Sequence, residues 1–465
     1  MDNTQGKTVL QLFNKKQFLS ENQNDAILDI LSREEHQNIL NNMGEFRART
    51  YTPLNTLYMS IQQALSSDKS SMHAVAGANA RLLVLDKRPA CPNTGSYTKA
   101  KKRFKEETVY ELVKSVGDSS LKKIPSSWNP HGRDVKVFDG TTLTLEDTKS
   151  NNEVYPKHSN QRVGIGNPQL RLLLVISLIT GSVLDYALDA TKGKGTGEIT
   201  LLRSIMGCFN KEDIAIGDAL FCNFFLTHDL RQKKVDVIFP GHVQRCYNFN
   251  EGTILGETDH ITVWKKPRRP EWMSKDAYKQ YPKEIQIREF KVNGIVYMTT
   301  LTDASMYPKK ELHTLYKRRW GIELHLRSIK THMGMDRPVS TTPSMVRKEI
   351  AIHLLAYNII REIMLGGCIQ EGALPTQISF KGTVQLLNKF NPYFISCQKD
   401  KKQALYSQVF SLLVKNKVGK RPGRVEPRAI RKKTQSYPIL KIDRKVAKEA
   451  LLLQRKKWLL ENDAA

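Results

Sequence analysis

One stretch of the sequence, residues 308–334, concentrates side chains that could bind a metal ion and a phosphate together. At about 100° per residue, its apolar positions form one stripe of a long helix, which predicts that this side is buried. A second stripe lies about a quarter-turn away and consists of Tyr316, Arg319, Glu323, Arg327 and Lys330. One carboxylate among three cations and a phenol, at the edge of a packed core, suits such a site.

The same helix also allows a simpler interpretation. Arg319, Glu323 and Arg327 follow one another at i, i+4 spacing. They could therefore form an ordinary surface salt-bridge ladder, worth about 0.3–0.5 kcal/mol per pair. The spacing alone does not separate the ladder from a functional site.

Two aspartates in predicted strands are further candidates. In the alternating segment that begins at Val135, Asp139 has the parity of the apolar residues, and Asp218 has the parity of Ile214 and Ile216. Each side chain should then point toward an apolar face, where a carboxylate needs a partner or a metal. The alternative for each is a strand-end carboxylate that caps a turn.

The order of predicted elements indicates an α/β fold. Three strands in antiparallel succession precede a helix, a strand, a second helix and a further strand. The strands are predicted at 135–145, 170–179, 183–187, 213–218 and 235–239, and the helices at 198–208 and 221–230. This is the order of a ribonuclease-H-like fold, although order alone also permits other α/β arrangements.

Charge and composition restrict the partner. Lys and Arg number 73 against 46 Asp and Glu, so the formal net charge is +27. Such an excess favours a polyanion, and nucleic acid is the expected one. The sequence lacks a signal peptide and an evident run of about 18 apolar residues, which predicts a cytoplasmic, nucleoid-associated protein without a membrane partner. The six scattered cysteines indicate neither a disulfide framework nor a zinc site.

The distance between Asp218 and Glu323 exceeds what one strand and one helix require, which predicts an insertion. Residues 241–291 are basic and rich in aromatic side chains, including Trp264 and Trp272. That composition is typical of a surface that stacks unpaired bases and contacts phosphates. The two tryptophans could equally form the small core of the insertion.

A family resemblance joins these candidates. Tyr316, Arg319, Glu323 and Lys330 resemble the Y-R-E-K signature of DDE transposases of the insertion-sequence-four family, which includes the transposon-five enzyme. The resemblance extends to the segments around Asp139, to the glycine-rich run 192–198 and to much of the remaining chain. It implies a ribonuclease-H-like catalytic core, a β-rich insertion, and cut-and-paste transposition of DNA.

The resemblance also implies roles for individual residues. Asp139, Asp218 and Glu323 match the catalytic D-D-E triad and are expected to hold two Mg²⁺ ions, for which Mn²⁺ can substitute. Hard carboxylate oxygens suit this ion, and a pair of ions roughly 3.5–4 Å apart stabilises the attacking and leaving oxygens. Tyr316, Arg319, Arg327 and Lys330 are expected to contact DNA phosphates.

These inferences predict helical N- and C-terminal regions around the core. The expected units are 1–125, a helical DNA-binding domain; 126–240, the first part of the catalytic core; 241–291, the β-rich insertion; 292–370, the second part of the core with the Glu323 helix; and 371–465, a helical and basic C-terminal region. Basic clusters in the first unit could be solvated faces or phosphate contacts.

The expected partners are double-stranded DNA, as terminal inverted repeats and target, and a second copy of the chain in a synaptic homodimer. Two alternatives remain open at this point. One is a catalytically inactive, transposase-derived DNA-binding protein. The other is a structure-selective nuclease of the same fold, which would cut branched DNA without regard to a repeat sequence.

Overall fold

The computed structural model describes residues 26–43, 46, 50–158, 165–242, 244–419 and 442–462. The part before the first strand is helical. Its α-helices are α1 (Ala26–Leu31), α2 (Glu34–Leu40), α3 (Pro53–Leu65), α4 (Ser71–Val84), α5 (Gly95–Lys102) and α6 (Glu106–Leu121). Helix α3 begins at Pro53, directly after Thr52, whose hydroxyl accepts the Asn55 N–H at 3.3 Å. The apolar repeat of residues 9–19 lies outside the described residues.

A nine-stranded sheet follows, with the strand order β3-β2-β1-β4-β5-β9-β8-β7-β6. The strands are β1 (Val135–Thr144), β2 (Gln169–Ser177), β3 (Val183–Ala190), β4 (Ile214–Ile216), β5 (Asp236–Pro240), β6 (Thr253–Gly256), β7 (Asp259–Lys265), β8 (Glu284–Val292) and β9 (Ile295–Thr299). Strands β1, β2 and β3 pair antiparallel, whereas β1, β4 and β5 run parallel. The predicted mixed α/β class is therefore confirmed.

Helices connect and follow these strands. They are α7 (Lys149–Val154), α8 (Glu198–Ser204), α9 (Phe224–Gln232), α10 (Lys275–Gln280), α11 (Lys309–Lys317), α12 (Gly321–Arg327), α13 (Pro343–Glu371), α14 (Phe380–Ser396), α15 (Lys399–Lys415) and α16 (Arg444–Asn462). The predicted helix at 198–208 stays α-helical only through Ser204, and a 3₁₀ turn, Met206–Cys208, completes it.

Both faces of the sheet are covered, which explains why β1 is apolar on both sides at its start. Val135 and Val137 belong to the core that includes α6 and α13. Phe138 points the other way, into the core that includes α8 and α9. Alternation along β1 then places Asp139 on the Val135–Val137 side, at the point where the strand leaves the core.

The stretch 308–334 is not the single regular α-helix that the sequence predicts. A 3₁₀ turn, Arg318–Trp320, separates α11 from α12, and a π-helical turn, Ser328–His332, follows α12. Gly321 directly after the first break weakens α-helix formation by about 1 kcal/mol relative to alanine. At the second break, the Ser328 hydroxyl donates back to the Leu324 carbonyl at 2.9 Å, a bond that bends helices.

Helix α13 forms the centre of the core. It is long and apolar enough to cross a membrane by length and composition, yet 94% of its apolar window is buried inside the protein. It also contains the charged residues Arg361 and Glu362, so it is not an uninterrupted apolar run of 18 residues. The burial identifies α13 as a core helix that packs against α3, α6 and α15.

The segment between β5 and β9 extends the same sheet. Strands β6, β7 and β8 pair antiparallel, and β8 pairs with β9 through a tight turn at Asn293 and Gly294. Both turn residues have positive φ, 51° and 80°, as the two-residue hairpin requires. Strand β9 then pairs with β5, so the chain re-enters the main sheet before α11.

The C-terminal part is helical where it is described. Helices α14 and α15 pack against each other and α13, and α16 spans the predicted helix 446–460 with two extra residues at each end. Most of the basic run that begins at Lys415 falls in 420–441, outside the described residues.

Candidate active site

Asp139 lies on the central strand β1, at the edge of the buried core. Its side chain is 21% exposed, and its Oδ1 accepts the Gly140 N–H at 2.8 Å. Burial raises the pKa of this carboxyl, and Asp218 and Glu323 raise it further, whereas the Gly140 bond and Arg319 lower it. Asp139 is thus a partly buried acid that two other acids approach.

Asp218 directly continues the neighbouring parallel strand β4. Val137 pairs with Ile216, so the same register extended by two residues places Asp139 and Asp218 side by side. The Asp218 Oδ1 also accepts the Leu220 N–H at 2.9 Å and caps the 3₁₀ turn Ala219–Phe221. The capping alternative is therefore real, but it uses only one carboxylate oxygen.

Glu323 approaches the two aspartates from α12, which packs against β1. Its side chain is exposed, unlike its neighbour Ile322, which lies in the core. Among the described residues, Glu323 forms no ion pair with Arg319 or Arg327, so the predicted ladder does not form. The three carboxylates share one edge of the sheet, although no described group of three acids or other ligands stands close enough to hold an ion as it is.

The predicted phosphate contacts divide into two groups. Arg319 and Lys330 turn toward β1: Arg319 Nη1 lies 3.9 Å from Asp139 Oδ2, and Lys330 Nζ donates to the Thr141 hydroxyl at 2.9 Å. Tyr316 is only 7% exposed and packs on Tyr297, with ring centroids 5.0 Å apart. Burial raises the pKa of Tyr316 to about 12, so its phenol stays protonated.

Arg327 lies on the exposed side of α12, one helical turn from Glu323. The Arg319 guanidinium carbon lies 5.7 Å from the centroid of the Tyr316 ring, which holds the side chain toward Asp139. The Nε atom of Arg319 is buried and has no hydrogen-bond partner among the described residues. Arg319 therefore retains a donor beside the carboxylates.

A fourth carboxylate, Glu198, was missed by the sequence reasoning. A Cβ atom on Gly140 would lie 2.3 Å from the Glu198 Cδ, so the carboxyl occupies the space beside Asp139 that a side chain would fill. Burial raises the pKa of Glu198, Arg171 lowers it, and Asp139 and Asp218 raise it. The only signal in the sequence was the glycine-rich run 192–198, which ends at Glu198 and belongs to the family resemblance.

The two tryptophans of the 241–291 segment have opposite environments. Trp264 is 3% exposed and its indole N–H donates to Glu289 at 2.7 Å, so it belongs to the core. Trp272 is 63% exposed. The interpretation as a small core therefore holds for Trp264, whereas Trp272 lies at the surface.

Comparisons with known proteins relate the chain to transposases. Residues 130–359, which include all three acids, match the family described as the transposase DDE domain. The chain is 25% identical over 324 residues to the transposase InsG of insertion sequence element IS4 from Escherichia coli strain K12. That alignment covers 67% of this chain and 71% of InsG.

A solved structure also resembles the chain loosely. It is a cryo-electron microscopy structure of a piggyBac transposase synaptic complex with hairpin DNA. The TM-score is 0.41 at 10% identity, over 86% of this chain and 84% of the other.

Proposed function

Because this chain belongs to the DDE transposases, and its relative is an insertion-sequence transposase, we propose that Asp139, Asp218 and Glu323 form its metal-binding catalytic triad. The supporting observation is their placement: Asp139 lies on β1, Asp218 follows the parallel neighbour β4 by two residues, and Glu323 on α12 is near enough to raise the pKa of Asp139. The protein then cuts DNA at transposon ends and joins the ends to a target.

The donor set fits divalent cations. Hard carboxylate oxygens in a partly buried group repel one another, and a cation of the Mg²⁺ class relieves this repulsion. We propose two Mg²⁺ ions, with Mn²⁺ as a substitute. When bound, such ions stabilise the charge on the attacking and leaving oxygens of the phosphodiester.

The chain's own residues bind and orient the DNA. Arg319, whose Nε has no hydrogen-bond partner among the described residues, and exposed Arg327 bind DNA phosphates in this proposal. Tyr316 stays neutral and holds Arg319 in place. Lys330 fixes the π-helical turn to β1 and thereby keeps Glu323 over the aspartates.

The sheet order supports a ribonuclease-H-like core. Strands β3-β2-β1 pair antiparallel, and β4 and β5 add in parallel, with Asp139 on β1 and Asp218 two residues after β4. We assign this core to 126–240 and 292–370, with the β-rich insertion 241–291 between them. Residues 1–125 then serve as the DNA-binding domain, and 371–465 form the C-terminal region.

We further propose that the protein acts as a homodimer on the terminal inverted repeats, among the DNA of the bacterial nucleoid. Two ends must come together for excision, and each end needs one triad. The net charge of +27 supplies the attraction for both ends and for target DNA.

The test is cleavage of a labelled duplex that carries the element's own terminal repeat, with Mg²⁺ or with EDTA. The wild-type chain should cut at the repeat boundary only with metal, and Asp218→Asn should bind the end without cutting it. Asp189→Asn is the matched control, because Asp189 on β3 likewise accepts a nearby backbone N–H, that of Ala190 at 2.7 Å.

Other outcomes would select one of the alternatives. End binding without cleavage under any divalent metal would indicate an inactive DNA-binding protein. A structure-selective nuclease would cut branched DNA, and random duplex would compete for it as effectively as the terminal repeat does. A transposase instead prefers its own site by orders of magnitude.

A further inference from the structure

A cavity of about 200 Å³ lies between the segment that carries Glu323 and the antiparallel strands β1 and β2. Its apolar wall consists of Val137, Ile176, Leu178 and Ile322. Val137 precedes Asp139 by two residues on the same side of β1, so the cavity begins about one side chain away from the proposed triad. The proposed catalysis uses none of these wall residues.

One cation lines this cavity without a counter-ion. Arg318 lies in the 3₁₀ turn between α11 and α12 and is partly buried. Its guanidinium forms no ion pair and no hydrogen bond with the residues that the structure describes. Burial lowers the pKa of Arg318, and none of the described carboxylates opposes this shift. An anion in the cavity would give the buried charge its partner.

The cavity also contains a hydrogen-bond acceptor. The Tyr357 hydroxyl donates to the Gly181 carbonyl at 2.9 Å and lies 2.9 Å from His325 Nδ1. Burial and the charge of Arg361 hold the pKa of His325 well below its usual value, so the imidazole is neutral. Because the Tyr357 hydroxyl has a single hydrogen, Nδ1 carries the hydrogen of the imidazole and Nε2 keeps its lone pair. Nε2 lies 4.0 Å from the position that a Cβ on Gly321 would take.

These two polar groups lie on one helical face. Arg318 and His325 are seven residues apart, which is close to two turns and roughly 10 Å along the helix axis. Gly321 lies between them and also lines the cavity, where its missing side chain leaves room for a ligand. An apolar cavity of roughly 150 Å³ accommodates one benzene-sized ring. The cavity therefore suits an aromatic ring with an anionic group at the Arg318 end and a hydroxyl group at the His325 end.

We propose that this cavity binds a small hydroxylated aromatic carboxylate. The carboxylate pairs with Arg318, the ring packs on Ile176 and Ile322, and the hydroxyl donates to His325 Nε2. A DNA phosphate would use the guanidinium alone and would leave the apolar wall and Nε2 without a contact. The site is independent of the proposed function, because neither DNA nor a metal takes part in it.

The test is calorimetric titration of the full-length protein with 4-hydroxybenzoate at about pH 7, in a buffer without carboxylate, phosphate or metal. One molecule per chain should bind saturably, with a dissociation constant of about 1 mM or lower, which a buried ligand of about ten non-hydrogen atoms can reach. 4-Hydroxybenzamide lacks the charge and should bind at least about tenfold more weakly. Benzoate lacks the hydroxyl and should bind about fivefold more weakly.

Two variants assign this binding to the cavity. Arg318→Met should weaken it at least about tenfold, because the variant removes the counter-ion of the ligand and keeps a long side chain. Lys317→Met is the matched control, since Lys317 is exposed and lies outside the cavity lining, so the same charge is lost without an effect. Arg318→Met should unfold at the wild-type midpoint or above it, because it no longer buries a charge that no described residue neutralises.

Three results would overturn the proposal: no saturable binding by the wild type, binding that survives in Arg318→Met, or equal weakening in Lys317→Met, which would indicate a general attraction to the basic surface. If Arg318→Met loses affinity for the terminal-repeat duplex while the wild type does not bind 4-hydroxybenzoate, the arginine serves DNA and the cavity proposal is refuted. Cleavage of the terminal repeat by the wild type, measured in parallel with Mg²⁺, tests the proposed function separately.

Discussion

The Glu198 carboxyl occupies the space above Gly140 that a side chain on that residue would fill, 2.3 Å from the position of its Cβ. Because a glutamate side chain can swing away, Gly140→Ala should change the free energy of unfolding by less than about 1 kcal/mol. It should nevertheless slow end cleavage at least about tenfold, because the displaced carboxyl lies beside Asp139 and Asp218. Single-turnover cleavage and urea unfolding measure the two effects.

The matched control for this change is Gly256→Ala in β6, where a Cβ meets nothing within 4 Å. Cleavage by Gly140→Ala at the wild-type rate would show that the position of Glu198 does not matter to the reaction.

Lys330 connects the Glu323 helix to β1 through two hydrogen bonds, to the Thr141 hydroxyl at 2.9 Å and to the Thr142 carbonyl at 3.0 Å. Thr141→Val keeps the strand side chain but removes one acceptor. It should destabilise the protein by about 0.5–1.5 kcal/mol and lower the cleavage rate, and Lys330→Met should do both more strongly.

Thermal unfolding and cleavage kinetics of the two variants provide the measurement for Lys330. If Thr141→Val behaves as wild type while Lys330→Met loses only DNA affinity, the lysine serves the phosphate alone and does not position Glu323.

Glu362 binds the N-terminal helical part to the core. Its fully buried side chain on α13 pairs through Oε1 with Arg33 and Lys123. Glu362→Gln leaves these cations without their charge partner, so we expect a loss of about 3 kcal/mol in the free energy of unfolding. Urea unfolding measures this loss. The control is Glu371→Gln at the exposed end of α13, which should leave the free energy of unfolding unchanged. Equal midpoints for both variants would contradict it.

Acid should destabilise the protein in part through His353 on α13. Its Nδ1–H donates to the Glu349 carbonyl at 2.8 Å, and its buried Nε2 has no hydrogen-bond partner among the described residues. Burial lowers the pKa of His353 below 6.5, although Glu349 partly opposes the shift. As the pH falls through 6.5, His353 therefore takes up a proton in the unfolded chain but not in the folded one. The free energy of unfolding then decreases as the pH falls.

Urea unfolding at intervals of about half a pH unit, between about pH 8 and pH 5, measures this dependence. His353→Gln should flatten the curve below pH 6.5. An unchanged slope in the variant would exclude His353 as a source of the acid sensitivity.

The sequence alone predicted strands β1 to β5, the helices between them and the acids in or next to these elements, because these depend on local periodicity. Asp139 and Asp218 stood out by strand parity, and Glu323 by its place at the edge of an apolar helical stripe. The same periodicity predicted one regular helix across 308–334, because it does not register the 3₁₀ and π-helical turns on either side of α12.

Other features depend on contacts between segments that are distant in the sequence, and the spacing of apolar residues along the chain does not predict such contacts. Glu198 reaches Gly140, Lys330 reaches Thr141, and one of two tryptophans in a single insertion becomes core while the other stays exposed. The amino-acid sequence by itself thus determined the mixed α/β class, the basic charge and the resemblance to DDE transposases. Only the tertiary structure decided which side chains meet at the carboxylates and where a cavity opens, because these follow from how the sheet and helices pack in space.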